Sequence, residues 1–264
     1  MGRDTALNPE ATAQSAPEIR DISSADLWIA LRRGYKDFLA KPSFVFFLAI
    51  IYPVISLILI RFIGGYDVLP YLWPLIAGGT IVAPIAALGL YEVSRLMEGD
   101  QSVSLRNAFN LFNFRSLQCV ATLSLLLGAA WVMWLYAANI IYVSTMGDYV
   151  PASVPDFIQR VFFTDEGKSL IMVGSAVGFA FALVIFMISV VSFPMIIDRD
   201  VSAMEAISTS VRVVLQNPWT MLAWAMIISF SMALAAVSFM FGLALVLPIL
   251  GHASWHLYRR VVGE

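Results

Sequence analysis

The stretch PLIAGGTIVAPIAALGLYEVSR, residues 74–95, decides the fold. It is a run of apolar and small residues that meets its first charges at Glu92 and Arg95. A helix rises about 1.5 Å per residue, so about 20 such residues cross the roughly 30 Å hydrocarbon layer of a bilayer. The stretch therefore reads as a transmembrane helix, rich in Gly and Ala so that neighbouring helices can approach its backbone.

The rest of the chain agrees with that choice of solvent. Of 264 residues, 60% are hydrophobic, 13% are charged, and the mean hydropathy is +0.82. Soluble domains sit near roughly 45–50% apolar. The charges cluster between apolar runs, and the net charge of −2 with no basic block outside the membrane flanks gives no signal for nucleic acid. Cys119 is the only cysteine, which excludes an intramolecular disulfide and a cysteine-based metal site. Residues 1–22 mix Ala, Pro, Thr and charges without periodicity or an apolar core, so they read as a disordered tail rather than a signal peptide.

Residues 23–264 read as one transmembrane domain. An amphipathic helix over 26–41 sets Leu27, Trp28, Leu31, Tyr35, Phe38 and Leu39 against Arg32, Arg33, Lys36, Asp37 and Lys41, with Ser23 and Ser24 where an N-cap belongs. Such a helix lies in the headgroup layer. Six spans follow at about 43–62, 69–91, 117–143, 170–197, 219–236 and 239–258. The third is longer than the bilayer requires and should tilt. The fourth ends near Phe193 and Pro194, and the last two form a tight hairpin turning near 235–239.

Thirteen of the 16 Lys and Arg fall in the N-terminal segment, the 93–115 and 198–217 loops and the C-terminus; only Arg61, Arg160 and Lys168 fall on the other side. The positive-inside rule then makes both termini cytoplasmic.

Amphipathic stretches at 26–41, 102–113 and 202–217 each precede a hairpin and share the pairs Ala30-Leu31, Ala108-Phe109 and Ala206-Ile207. In the third, Ser202 and Glu205 spell a capping box, and Met204, Ile207, Val211, Val214 and Leu215 form an apolar stripe. The expected fold class is an all-α polytopic bundle of three parallel units, each an interfacial helix followed by a transmembrane hairpin.

Few residues could carry chemistry. His252 and His256, at i and i+4, share a helix face and could co-ligate a metal or haem, but two imidazoles alone make an incomplete site. Trp255, Tyr258, Arg259 and Arg260 instead suggest an interfacial, hydrogen-bonded pair. Glu92 and Arg95, at i and i+3, read either as a capping ion pair or as a binding site with Glu92 at a cavity mouth; Arg199 in the Asp198-Arg199-Asp200 loop is a plausible partner for Glu92. Asn139 and Gln118 are the polar members of the third span, suited to cross-helix hydrogen bonds. Gly174 and Gly178 have small-xxx-small spacing and read as a packing notch. No phosphate loop, nucleophile elbow, zinc-protease or EF-hand pattern is present in the sequence, so no enzyme and no cofactor is expected.

Two passages carry a resemblance: IVAPIAALGLYEVSRLMEGD (81–100) and SFPMIIDRDVSAMEAISTSVRVVLQNPW (192–219), closed by LPILGHASWHLYRRVV (247–262) and opened by DLWIALRRGYKDF. Together they resemble a family of bacterial, largely proteobacterial, integral membrane proteins carrying a domain of unknown function. The resemblance implies a six-span inner-membrane protein with no established activity. Some members carry a label relating them to a cytochrome c oxidase subunit; a haem–copper core needs more histidine ligands, from more helices, than this chain owns. The functional expectation is a non-enzymatic structural, assembly or lipid- and partner-interaction protein. Its partners would be the bilayer, anionic headgroups at the cytoplasmic face, and a membrane protein complex. The alternatives are a small-solute or ion transporter using Glu92 and a redox accessory using His252 and His256.

Overall fold

The computed structural model describes residues 17–41, 69, 75, 85, 87–101, 114–237 and 241–263. Among these the regular structure is helical: α1 (Ser24–Ala40), α2 (Leu88–Glu98), α3 (Phe114–Met146), α4 (Val154–Phe163), α5 (Asp165–Ser189), α6 (Ser192–Asp198), α7 (Ala203–Gln216), α8 (Pro218–Val237) and α9 (Phe241–Val261). The first expected span, most of the second, the middle amphipathic stretch at 102–113 and the turn residues 238–240 lie outside the described residues.

Among the described residues, three helical segments are long and apolar enough to cross a membrane: Ser116–Met146, Asp165–Asp198 and Pro218–Ala235. They correspond to the third, fourth and fifth expected spans. Most of their surface faces outward, with Leu125, Val132, Met133, Tyr136, Phe179, Met226 and Phe230 all exposed. That is the pattern of helices whose solvent is lipid. α3 and α5 pack side by side, with Trp134 stacked on Phe181 at 5.9 Å and seated over Gly178. Gly178 is thus a notch, whereas Gly174 faces open space.

The fourth span breaks between α5 and α6, earlier than Pro194. A proline ring clashes with the carbonyl four residues back, here Val190, where α5 ends. Pro194 itself falls in the first turn of α6, where a missing N–H costs nothing. The freed Val191 N–H donates to Ser210 Oγ of α7 at 3.2 Å.

The segment after α3 is ordered by capped helices. Ser153 and Thr164 cap α4 and α5, accepting from the N–H groups of Asp156 and Gly167. At the corner a Cβ on Gly167 would fall 2.2 Å from the Val161 carbonyl oxygen, so only glycine fits.

In both amphipathic helices the largest apolar side chains point outward, as an element lying at the bilayer surface requires, and the small residues beside them dock on protein. α1 buries Leu27, Ala30 and Gly34, while Trp28, Tyr35 and Leu39 are exposed. α7 buries Ala206, Thr209, Ser210, Val213 and Val214, while Met204 and Leu215 are exposed. The small side faces protein and the large side faces outward, because helices among lipid gain by close backbone approach. The matched Ala30 and Ala206 of the repeat are both fully buried.

Residues 17–22, the end of the expected tail, are also corrected. They run as extended chain paired with the C-terminus: Arg20 N–H donates to Val261 O at 2.8 Å and Gly263 N–H to Glu18 O at 2.9 Å. Asn217 secures the same segment, accepting from Ile22 N–H at 2.8 Å and donating to Arg20 O at 3.3 Å. An extended segment leaves its backbone groups open, and here they find partners in both elements.

Candidate functional site: a buried polar knot at one end of the bundle

α9 carries the site, and the side chains of its last three turns lie in the protein interior. His252, Trp255, His256, Tyr258 and Val261 are all buried. α1, α2 and α6 pack around them. Gly34 makes that possible, since a Cβ there would lie 2.5 Å from the Ala253 backbone nitrogen. Gly251 plays a milder part against α2, facing the tip of Leu90.

Three helices then supply one hydrogen-bonded chain. Ser94 Oγ of α2 donates to Asp37 Oδ2 of α1 at 2.6 Å. His252 Nδ1 lies 2.8 Å from the same Ser94 Oγ, and His256 Nε2 lies 2.8 Å from Asp37 Oδ2. A hydroxyl has a single hydrogen. With it given to Asp37, His252 must hold its own hydrogen on Nδ1, and His256 donates from Nε2. His256 Nδ1, buried and without a hydrogen bond, faces Glu98 Oε1 at 3.5 Å, a distance that becomes an ion pair only when the ring is protonated.

Glu98 leads outward from this chain. It accepts from Trp255 Nε1–H at 3.1 Å and pairs with Arg259 at 3.4 Å. Burial pushes the Asp37 carboxyl up, but hydrogen bonds from His256 and Ser94 outweigh it and hold the group below its ordinary value of 3.8. Burial pushes the Glu98 carboxyl up as well, but the His256 ring beside it, the Trp255 indole N–H and Arg259 outweigh it and hold the group below 4.5. At the neighbouring helix, Asp198 accepts from Tyr258 OH at 2.6 Å and from Arg259 at 3.2 Å.

The sequence-predicted residues divide between this knot and its surroundings. His252 and His256 are inside it. Glu92, 2% exposed, is held by both forks of Arg95 at 2.9 Å. Arg95 gains first from those hydrogen bonds and further from Asp198, and stays charged above its ordinary value. Arg199 does not reach for Glu92: it donates to Tyr258 OH at 3.2 Å and to the Gly263 carbonyl. Asn139 sits 20 residues from Cys119 along α3, about 30 Å at helical rise, while Cys119 meets Val201 at the knot's end of the bundle. Gln118 is exposed.

Asp37, Ser94 and Tyr258 were not singled out from sequence. Asp37 was read onto the solvated face of α1, and the available signal was Ala30-xxx-Gly34, small-xxx-small spacing on the face it shares. His252 Nδ1 and His256 Nε2 are engaged by Ser94 and Asp37, and among the described residues no three of His, Cys, Asp and Glu are arranged to hold a metal ion.

Residues 72–198 match the family described as "Predicted integral membrane protein (DUF2189)". No curated protein and no solved structure matches the chain. With its three apolar helices, the chain is an integral membrane protein similar, over those residues, to a domain of unknown function.

Proposed function

We propose that this chain is a non-enzymatic, multi-pass protein of the bacterial inner membrane, with both termini cytoplasmic, that serves assembly or lipid and partner interaction. The observation that carries the reading is where the ionisable groups converge. Asp26, Asp37, Glu92, Glu98 and Asp198 each meet a cation or a histidine from the collar at one end of the bundle. Charges compensated in this way fix helices in place. They are expensive to move and poorly suited to turnover. The experiment is uptake into proteoliposomes across a broad panel of solutes and ions; accumulation of any of them above empty vesicles would sink the reading.

One observation favours a second reading, proton-coupled transport. The chain from His252 through Ser94, Asp37 and His256 ends at Glu98, which lines an open cleft. In that reading Glu92 serves as the ligand near a cytoplasmic mouth, and uptake is abolished by Glu92→Gln. Transport unchanged in that variant would remove Glu92 from the role. A redox accessory role for His252 and His256 requires a chromophore or bound metal, which the visible spectrum and metal content of the purified protein decide.

A further inference from the structure

An open cleft of about 400 Å³ lies beside the knot, lined by the cations Arg20, Arg33, Arg259 and Arg260, the carboxylates Asp21, Asp26 and Glu98, and Ile22. Four elements meet there: the extended N-terminal segment, α1, the end of α2 and the end of α9. The charges within it are unequally engaged. Asp26 is taken by Arg260 and Glu98 by Arg259. Asp21 accepts from Gln216 Nε2 at 2.9 Å. Arg20 and Arg33 are exposed and make no ion pair among the described residues. The carboxylates are thus answered from within, and two guanidinium forks remain facing the opening.

Two exposed tryptophans belong to the same end of the bundle as the cleft. Trp28, 68% exposed, is on α1, on the opposite side of the helix from Asp26 and Arg33. Trp219, 81% exposed, precedes Thr220, whose hydroxyl donates to the Ile22 carbonyl. Exposed tryptophans gather at headgroup depth. A guanidinium fork matches phosphate oxygens two at a time.

We propose that this cleft is a binding site for a phosphate-bearing anion, with Arg20 and Arg33 as its primary ligands and Arg259 and Arg260 as the fixed wall behind them. Lipid headgroups and free phosphate share that chemistry. The inference deepens the lipid-interaction reading above and depends on it only for the choice of source.

The test uses the full chain, purified in neutral detergent and examined by native mass spectrometry. Dioleoyl phosphatidylglycerol and dioleoyl phosphatidylcholine are offered at equal concentration, with and without millimolar inorganic phosphate. The expected result is preferential retention of phosphatidylglycerol, lowered roughly 25-fold in the double variant Arg20→Gln/Arg33→Gln, at about fivefold for each basic residue removed near the headgroups. Because neither arginine is in an ion pair, the variant should melt with the parent, which separates lost ligand from lost fold. Competition by inorganic phosphate assigns the site to free phosphate groups; retention unaffected by it assigns the site to headgroups. Equal retention of the two lipids with no response to phosphate overturns the proposal, as does a double variant that binds like the parent. Solute uptake in proteoliposomes would defeat the non-transport reading while leaving this result untouched.

Discussion

Asp37 shows how much one side chain can organise. Its Oδ2 receives both Ser94 and His256, so removing it strands a hydroxyl and an imidazole that burial has already separated from water. Asp37→Ala should cost about 2–4 kcal/mol, read as a drop in the midpoint of thermal denaturation in detergent. A variant that melts with the parent would show the chain of hydrogen bonds to be energetically idle. The same carboxylates set the response to acid. Asp26, Asp37 and Glu98 are all held below their ordinary values, Asp26 first by the Ser23 backbone N–H and further by Arg260. A carboxylate depressed on folding contributes stability above its unfolded value and loses it as pH falls through the folded one. These three carboxylates should therefore add a loss of stability as pH falls below the ordinary values of 3.8 and 4.5. A melting curve flat down to pH 3 would contradict that. Sequence placed the two histidines on one face, since i and i+4 spacing settles it. It could not reveal Asp37 as their partner, because a lone acid among Arg32, Arg33 and Lys36 looks solvated until the face of α1 that docks is known.

At the scale of the element, α1 and α9 behave as one piece, and glycine governs the fit. A Cβ on Gly34 would meet the Ala253 backbone, which cannot yield; a Cβ on Gly251 would meet Leu90 Cδ1, which can rotate away. Gly34→Ala should lower the melting midpoint by the equivalent of about 1–3 kcal/mol, and Gly251→Ala by clearly less. The reverse order would show that α1 is not seated on α9 as described. The existence of α1 and α7, their caps at Ser23 and Ser202 and their stops before Pro42 and Pro218 were legible from sequence, because caps and prolines act locally. Their outward side was legible too, but which of the remaining residues dock was not, because hydrophobic periodicity marks the apolar side of a helix and not the face that meets protein. Beside lipid the large apolar side has two suitable surroundings, and the small residues decide which face goes inward. The extended segment at 17–22 escaped for a related reason, since its partners, Asn217 and the C-terminus, are some 200 residues away. Asn217→Ala, which removes bonds to Ile22, Arg20 and Val213 at a buried position, should cost about 1–3 kcal/mol and expose that segment to protease.

For the whole molecule, the two ends of the bundle are chemically unlike, and that difference bears on how it sits in the membrane. One end holds the arginine-rich collar. The other holds α4, on which Val154, Ile158 and Phe162 stand four residues apart and exposed, continuing the register of exposed Val150. A stripe of that spacing on a capped helix between two spans is the mark of an element lying flat at the bilayer surface. α3 reaches from one end to the other. Its 33 residues make about 50 Å, some 20 Å more than the hydrocarbon layer, so it either tilts strongly or carries its ends into the headgroups. A collar at one surface and a flat helix at the other accommodate the second arrangement. Single cysteines in a Cys119→Ser background distinguish the sides. With both termini cytoplasmic, an impermeant maleimide added to intact cells should label Asp148→Cys, at the exposed turn after α3, and should reach Ser202→Cys only after permeabilisation. A fluorophore on Phe162→Cys should be quenched by brominated lipid, and one on Asp148→Cys should not. Labelling of position 202 from outside would invert the molecule and carry the arginine cleft to the opposite leaflet. An unquenched probe at 162 would leave the orientation intact and free α4 for a protein partner instead.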